Sequence, residues 1–105
     1  MHAHIAELQS VIAEIEHLTE QSDWQGLSAI DERARAVVVA AGEAARAGEV
    51  PLDAVTMQLE VLQQVFERAR EKAVIARDEA ARSLRETSRT HNAAQTYLGT
   101  QSRGR

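Results

Sequence analysis

Residues 52–98 read LDAVTMQLEVLQQVFERAREKAVIARDEAARSLRETSRTHNAAQTYL, a run without Gly or Pro. Within it Leu52, Val55, Leu59, Leu62, Phe66, Ala69, Ala73, Ala76 and Ala80 recur at alternating steps of three and four. That spacing lays one apolar stripe along a helix and cannot serve a strand, whose side chains alternate every second residue. As a single helix the run would reach roughly 70 Å at about 1.5 Å per residue. Thr87 to Asn92, Thr-Ser-Arg-Thr-His-Asn, has poor helix propensity, so a kink or break is expected there, after which Ala93, Ala94, Tyr97 and Leu98 form a short fourth helical face.

Toward the N-terminus, Gly48 suits the left-handed position just past a helix, Pro51 suits the start of the next, and Asp53 complements its positive end. Gly48 to Pro51 is therefore a short connector between antiparallel neighbours. Before it, Trp24, Leu27, Ile30, Ala34, Val37, Val38, Ala41 and Ala45 follow a helical period. Val37 to Val39, flanked by Ala, read as the most buried turn of that helix. Gly26 costs its first turn about 1 kcal/mol against Ala and suggests close approach of another backbone. Ser22 or Asp23 is placed to cap it. Ile5, Leu8, Ile12, Ile15 and Leu18 or Thr19 define a first helix over residues 3–21, with Glu7, Glu14, Glu16 and Glu20 facing water.

These readings predict an all-α fold, a small antiparallel bundle of three helices with a long third helix. They place one helical domain at residues 1–98 and a mobile polar tail at 99–105. A first helix of roughly 28 Å and a second of roughly 36 Å cannot cover a third of roughly 70 Å. Three readings stay open for the uncovered stripe: the long helix folds back near Thr87, the chain forms a homodimer, or another protein's helix docks there.

The chain has 105 residues and a net charge of −4, with no Cys. One small domain follows, without disulfides, thiolate metal sites or a thiol nucleophile. Residues 1–51 carry nine acids against three Arg, and residues 52–105 carry seven acids against nine bases, so the two halves attract. Net negative charge argues against direct nucleic-acid binding. No apolar run approaches a membrane span and no leader precedes the first helix, so a soluble, cytoplasmic protein is expected.

Catalytic chemistry is not visible. There is no glycine-rich phosphate loop, no H-E-x-x-H and no nucleophile elbow, and no carboxylate pair sits on an apolar face. His2, His4 and His17 read as solvated residues, and His91 alone is no ligand set. No enzymatic activity, cofactor or metal is expected. A groove lined by Leu59, Leu62, Phe66, Ala69 and Ala73 could accept an amphipathic client helix, although the same residues would also furnish a self-sufficient core. Tyr97, with its polar tip, reads as a protein-contact anchor or as a cap packed back on the bundle. Trp24 reads as an aromatic packing over the third helix, with Leu27 and Ile30 as structural partners. In a second reading, Trp24-Gln25-Gly26 resembles the W-x-G turn of small helical-hairpin proteins secreted by type VII systems. That family's turn lies near mid-chain, and its Tyr-x-x-x-acid signal would need an acid where Gln101 stands.

The fuller resemblance is to the FliT-type flagellar export chaperones. Asp23-Trp24, Leu27, Ile30 and Glu32-Arg33 resemble the head of that family's second helix. Leu62, Phe66, Arg77-Asp78-Glu79 and Leu84 continue it along the third, and Ala93-Ala94-Gln95-Thr96-Tyr97 resembles the family's small-residue-then-Tyr ending. The resemblance implies a cytosolic helical bundle that binds the C-terminal region of a filament cap protein and prevents its premature assembly. The bundle then brings this client to the type III export apparatus. It further implies a client groove extending through Ala76, Ala80 and Leu84, a C-terminal helix able to cover that groove, and contact of Tyr97 with the export gate. Contacts with the export ATPase and a flagellar transcription activator belong to some members and are not assumed here. The chain departs from the family in its Ala-rich later half of the third helix.

Overall fold

The computed structural model describes residues 3–103, with side chains through Leu98. It is all-α: α1 spans Ala3–Glu20, α2 spans Trp24–Arg46 and α3 spans Leu52–Arg103, with no strand among the described residues. Chain packing divides it into two compact units, residues 1–73 and residues 74–105.

The first unit holds α1, α2 and the opening turns of α3 around one aliphatic core. From α1 come Leu8, Val11, Ile12 and Ile15, and from α2 come Ile30, Ala34, Ala41 and Ala44. Val55, Leu62, Val65 and Ala69 complete the core from α3. The direction of the helices follows from their ends. Thr19 and Glu20, closing α1, share a depression with Val65 and Lys72, and Trp24 and Leu27, opening α2, share another with Ala69 and Ala73. Thus α2 runs antiparallel to both neighbours.

Which residues reach the core corrects the sequence reading in three places. Val37 and Val38 are only partly buried and Val39 is 58% exposed, whereas Ala34 and Ala41 are 2% and 0% exposed. Alanine faces the neighbouring helices because its small side chain lets axes approach closely, and the bulkier valines turn to the flank. On α3, Val65 is 4% exposed while Phe66 is half-buried, and Leu52, which opens the stripe, is 66% exposed. His4 is not simply solvated: it stands one turn before Leu8 on the core-facing side, partly buried, with Nδ1 shielded and without a hydrogen-bond partner. His2 lies outside the described residues.

Both corners of the first unit are closed by backbone bonds that end one helix before the next begins. After α1, Ser22 adopts φ 53°. Its N–H donates to the Thr19 carbonyl at 3.1 Å, and the Asp23 N–H donates to Leu18 at 2.9 Å. After α2, Gly48 at φ 76° repeats the arrangement, with Gly48 N–H to Ala45 at 3.1 Å and Glu49 N–H to Ala44 at 2.9 Å. This is the Schellman pattern, in which a left-handed residue allows two orphan carbonyls to be satisfied. Val50, 5% exposed, then ties the connector to the core.

Asp23, and not Ser22, caps α2: its Oδ1 accepts from the Gly26 N–H at 2.9 Å. A Cβ on Gly26 would fall 2.6 Å from Asp23 Oδ2 and 2.7 Å from Leu18 Cδ2. The close approach at Gly26 is therefore made by a capping carboxylate and a leucine side chain, not by a backbone, and it accounts for a glycine in the first turn of a helix.

In the second unit, α3 stays helical through Thr87 to Asn92, so no short fourth helix forms. The Thr90 hydroxyl donates to the Glu86 carbonyl at 3.0 Å, bonding locally inside the helix. Helix continues beyond Leu98 to Arg103, where a polar tail was expected; Gly104 and Arg105 lie outside the described residues. From Val74 to Leu98 every residue is exposed except Ala76 and Ala81, which are partly buried.

Two substitutions test the α1–α2 corner in opposite directions. Ser22→Gly removes the cost of a side chain in the left-handed region and is expected to stabilise by about 1 kcal/mol. Gly26→Ala, despite better helix propensity, must displace the cap or Leu18 and is expected to destabilise by about 1–3 kcal/mol. Denaturant midpoints that moved the same way for both would contradict this account.

Candidate functional site

Because Val65 and not Phe66 points to the centre of the core, the Phe66 ring lies at the rim, and two open depressions meet there. One, of about 460 Å³, is lined by Leu59, Leu62, Gln63, Phe66, Glu67 and Arg70. The other, of about 330 Å³, lies between α2 and α3 and is lined by Trp24, Leu27, Ser28, Asp31, Phe66, Ala69, Arg70 and Ala73. Phe66 and Arg70 belong to both. The result is a mainly apolar furrow with a polar margin of Gln63, Glu67, Arg70, Ser28 and Asp31.

The furrow gathers five of the anticipated groove residues, Leu59, Leu62, Phe66, Ala69 and Ala73. Leu62 and Ala69 are 5% exposed, so they form its floor and belong equally to the core, while Leu59, Phe66 and Ala73 are half-buried and form its walls. Trp24 and Leu27, anticipated as structural, line it as well, and Ile30 lies in the core. Ala76, Ala80 and Leu84 belong to the second unit, as does Tyr97, 63% exposed. The polar margin was missed by the sequence reading, though the signal was present: Gln63 and Arg70 follow Leu59 and Phe66 by four residues, hence one turn along the same side of α3.

Charges are arranged around the unit rather than inside it. Glu14 of α1 pairs with Arg33 of α2 across the helix interface, and Asp31 pairs with Arg35 at 3.1 Å along α2. In the second unit Asp78 pairs with its neighbour Arg77 at 3.6 Å. Glu16 and Glu20 of α1 stand with Arg68 and Lys72 of α3 around a depression of about 100 Å³. Exposed pairs of this kind contribute no more than about 1 kcal/mol each.

Among the described residues no group of three or more His, Cys, Asp or Glu is placed to hold a metal ion, and no helix is long and apolar enough to cross a membrane. The furrow lining contains no histidine, and it is apolar with charged, amide and hydroxyl groups at the edge, where the Asp31 carboxylate is paired with Arg35. No protein-family model, curated protein or solved structure matches the chain.

Floor and surface residues of the same stripe should separate in a stability measurement. Leu62→Ala is expected to destabilise by about 2–5 kcal/mol through the cavity it leaves, whereas Leu52→Ala should change stability by no more than about 0.5 kcal/mol. Comparable losses for the two in urea titrations would show that Leu52 is not the surface residue described.

Proposed function

We propose that this chain is a FliT-type flagellar export chaperone, a cytosolic non-enzymatic bundle. In this reading it binds the C-terminal region of a filament cap protein and delivers it to the type III export apparatus. The observation that carries the reading is the furrow centred on Phe66. Its apolar floor and its polar margin suit an amphipathic client helix, whose residues at i, i+3 and i+4 would enter the two depressions while its outer face stayed wet. Half-buried Phe66 and Trp24 supply aromatic anchors of the sort that concentrate binding energy. Burial of the furrow walls would contribute roughly 25 cal/mol per Å² of apolar surface removed from water. Arg70, shared by both depressions, is placed to receive a carboxylate of the client and so to set its register.

The second unit supports the delivery half of the reading. It bears Tyr97 exposed near the end of a helix, where an aromatic ring with a hydroxyl tip can anchor a contact with the export gate. The resemblance through Asp23-Trp24, Leu27 and Ile30 adds a reason for the furrow's inner wall, because the Asp23 cap fixes the start of the helix that presents Trp24 and Leu27.

The test separates the two contacts. Phe66→Asp is expected to abolish co-purification with a C-terminal fragment of a cap protein and to leave gate binding intact. Tyr97→Ala should do the reverse. If neither fragment binds the intact chain or a version ending at Thr87, the chaperone reading fails.

A further inference from the structure

Gly42 stands in the interior of α2, where glycine is the poorest residue for a helix after proline. Gly26 makes room for the Asp23 cap and Leu18, and Gly48 takes a left-handed φ of 76°. Gly42 does neither. Its φ is not positive, and apart from its own stretch of backbone a Cβ there would meet nothing within 4 Å. Packing and conformation within the chain therefore give no reason for glycine in a helix otherwise rich in alanine, although Gly42 is partly buried.

Its place in the fold supplies a reason. Along α2, Ser28, Arg35 and Gly42 follow at steps of seven, as do Trp24, Asp31, Val38 and Ala45. Residues seven apart stand two turns on along nearly the same side of a helix. Trp24, Ser28 and Asp31 line the furrow, so Gly42 continues its α2 wall. On α3, Leu52, Leu59 and Phe66 are spaced in the same way, and the last two line the furrow. Because the two helices are antiparallel and Asp31 shares a depression with Phe66, Gly42, eleven residues beyond Asp31, comes level with Val55, eleven before Phe66. Leu52 and Leu59 stand one turn to either side of that level. Leu59 is partly buried, whereas Leu52 is 66% exposed. An exposed leucine or a helical glycine is ordinary by itself. At one level of one furrow the two make an apolar wall and a facing notch that the chain does not fill.

From Trp24 to Gly42 the α2 wall runs roughly 27 Å at about 1.5 Å per residue, or about five turns of a docked helix. Arg70 marks one end and the notch the other. Their levels on α3, residues 70 and 55, are separated by about four turns, so residues on one face of a client helix reach both. We infer that Gly42 and Leu52 form a further anchoring socket of the furrow. Its occupant is an amphipathic client helix that carries a large apolar residue for this socket about four turns from a carboxylate for Arg70. The missing side chain at 42 lets that apolar residue seat against the α2 backbone between Val38 and Ala45. Glycine here weakens the free helix and is useful only when the furrow is filled, a conflict between stability and function that binding sites commonly show. The identity of the client rests on the chaperone reading.

Stability and binding should consequently move in opposite directions. Gly42→Ala and Gly42→Leu are each expected to raise the urea midpoint of the full chain, since a side chain there adds helix propensity without a clash. Binding of a C-terminal fragment of a filament cap protein, followed by isothermal titration calorimetry, should weaken by at least about tenfold with Gly42→Leu and by a smaller factor with Gly42→Ala. Leu52→Ala should weaken it with the urea midpoint unmoved. Ala36→Leu, at an exposed position of α2 outside both rows, should leave binding unchanged. Binding that Phe66→Asp abolishes and Gly42→Leu leaves intact overturns the socket while the chaperone reading stands. A lowered midpoint for Gly42→Ala overturns the socket as well, because the chain itself would then need the glycine. Absence of binding by the unmodified chain overturns the chaperone reading and the socket together.

Discussion

The first unit depends on one shared aliphatic core, and that core is limited by how little bulk the chain supplies to it. Leu8, Val11 and Ile15 are fully buried, yet α2 meets them largely with alanines, and the unit has no fully buried aromatic. Each large aliphatic side chain removed from water contributes about 1.5–3 kcal/mol, so a core of this size stands against chain entropy with little margin. Close approach of helix axes is the compensating device. Alanines at 34, 41 and 44 give contact where larger residues would hold the helices apart.

That arrangement explains the furrow. A helix face wide enough to include Val65 and Phe66 cannot turn both to the centre when the opposing helix is lined with alanine, because there is no room for the ring. Valine takes the inner place and Phe66 is left at the rim beside Arg70. The corner between α1 and α2 then decides what stands opposite. Ser22 in a left-handed conformation reverses the chain, Asp23 caps the new helix, and the missing side chain at Gly26 makes space for both the carboxylate and Leu18. Trp24 is thereby delivered to the start of α2, within the same furrow as Phe66 and Ala73.

The two units differ in charge as well as in burial. The first holds thirteen acids and six bases, the second three acids and six bases. An acidic surface around an apolar furrow favours partners that bring positive charge to its margin, and a basic helix favours acidic ones, each contact weakening as salt rises. The second unit is a helix whose residues from Val74 to Leu98 are exposed except Ala76 and Ala81, which are partly buried.

Helix type, the starts of all three helices and the ends of the first two were legible in the sequence because they rest on local physics. Period, caps and glycine placement act over a few residues, so the starts at Ala3, Trp24 and Leu52 and the left-handed Gly48 could be read directly. The furrow's residues were legible in part: Leu59, Leu62, Phe66, Ala69 and Ala73 share one stripe in any helix. The role of each was not, since an apolar residue on a stripe looks the same whether it is floor, wall or surface. The break expected at Thr87 to Asn92 does not occur, because residues of poor propensity cost no more than about 0.7 kcal/mol each inside a helix already propagating from both sides. The sequence by itself thus determined an all-helical chain, its turns and the apolar side of each helix. Only the tertiary structure decided that Val65 enters the core while Phe66 lines a furrow, and that alanines lie deeper than valines in α2. Those choices depend on the volume left between facing helices, a quantity that no single helix carries in its own residues.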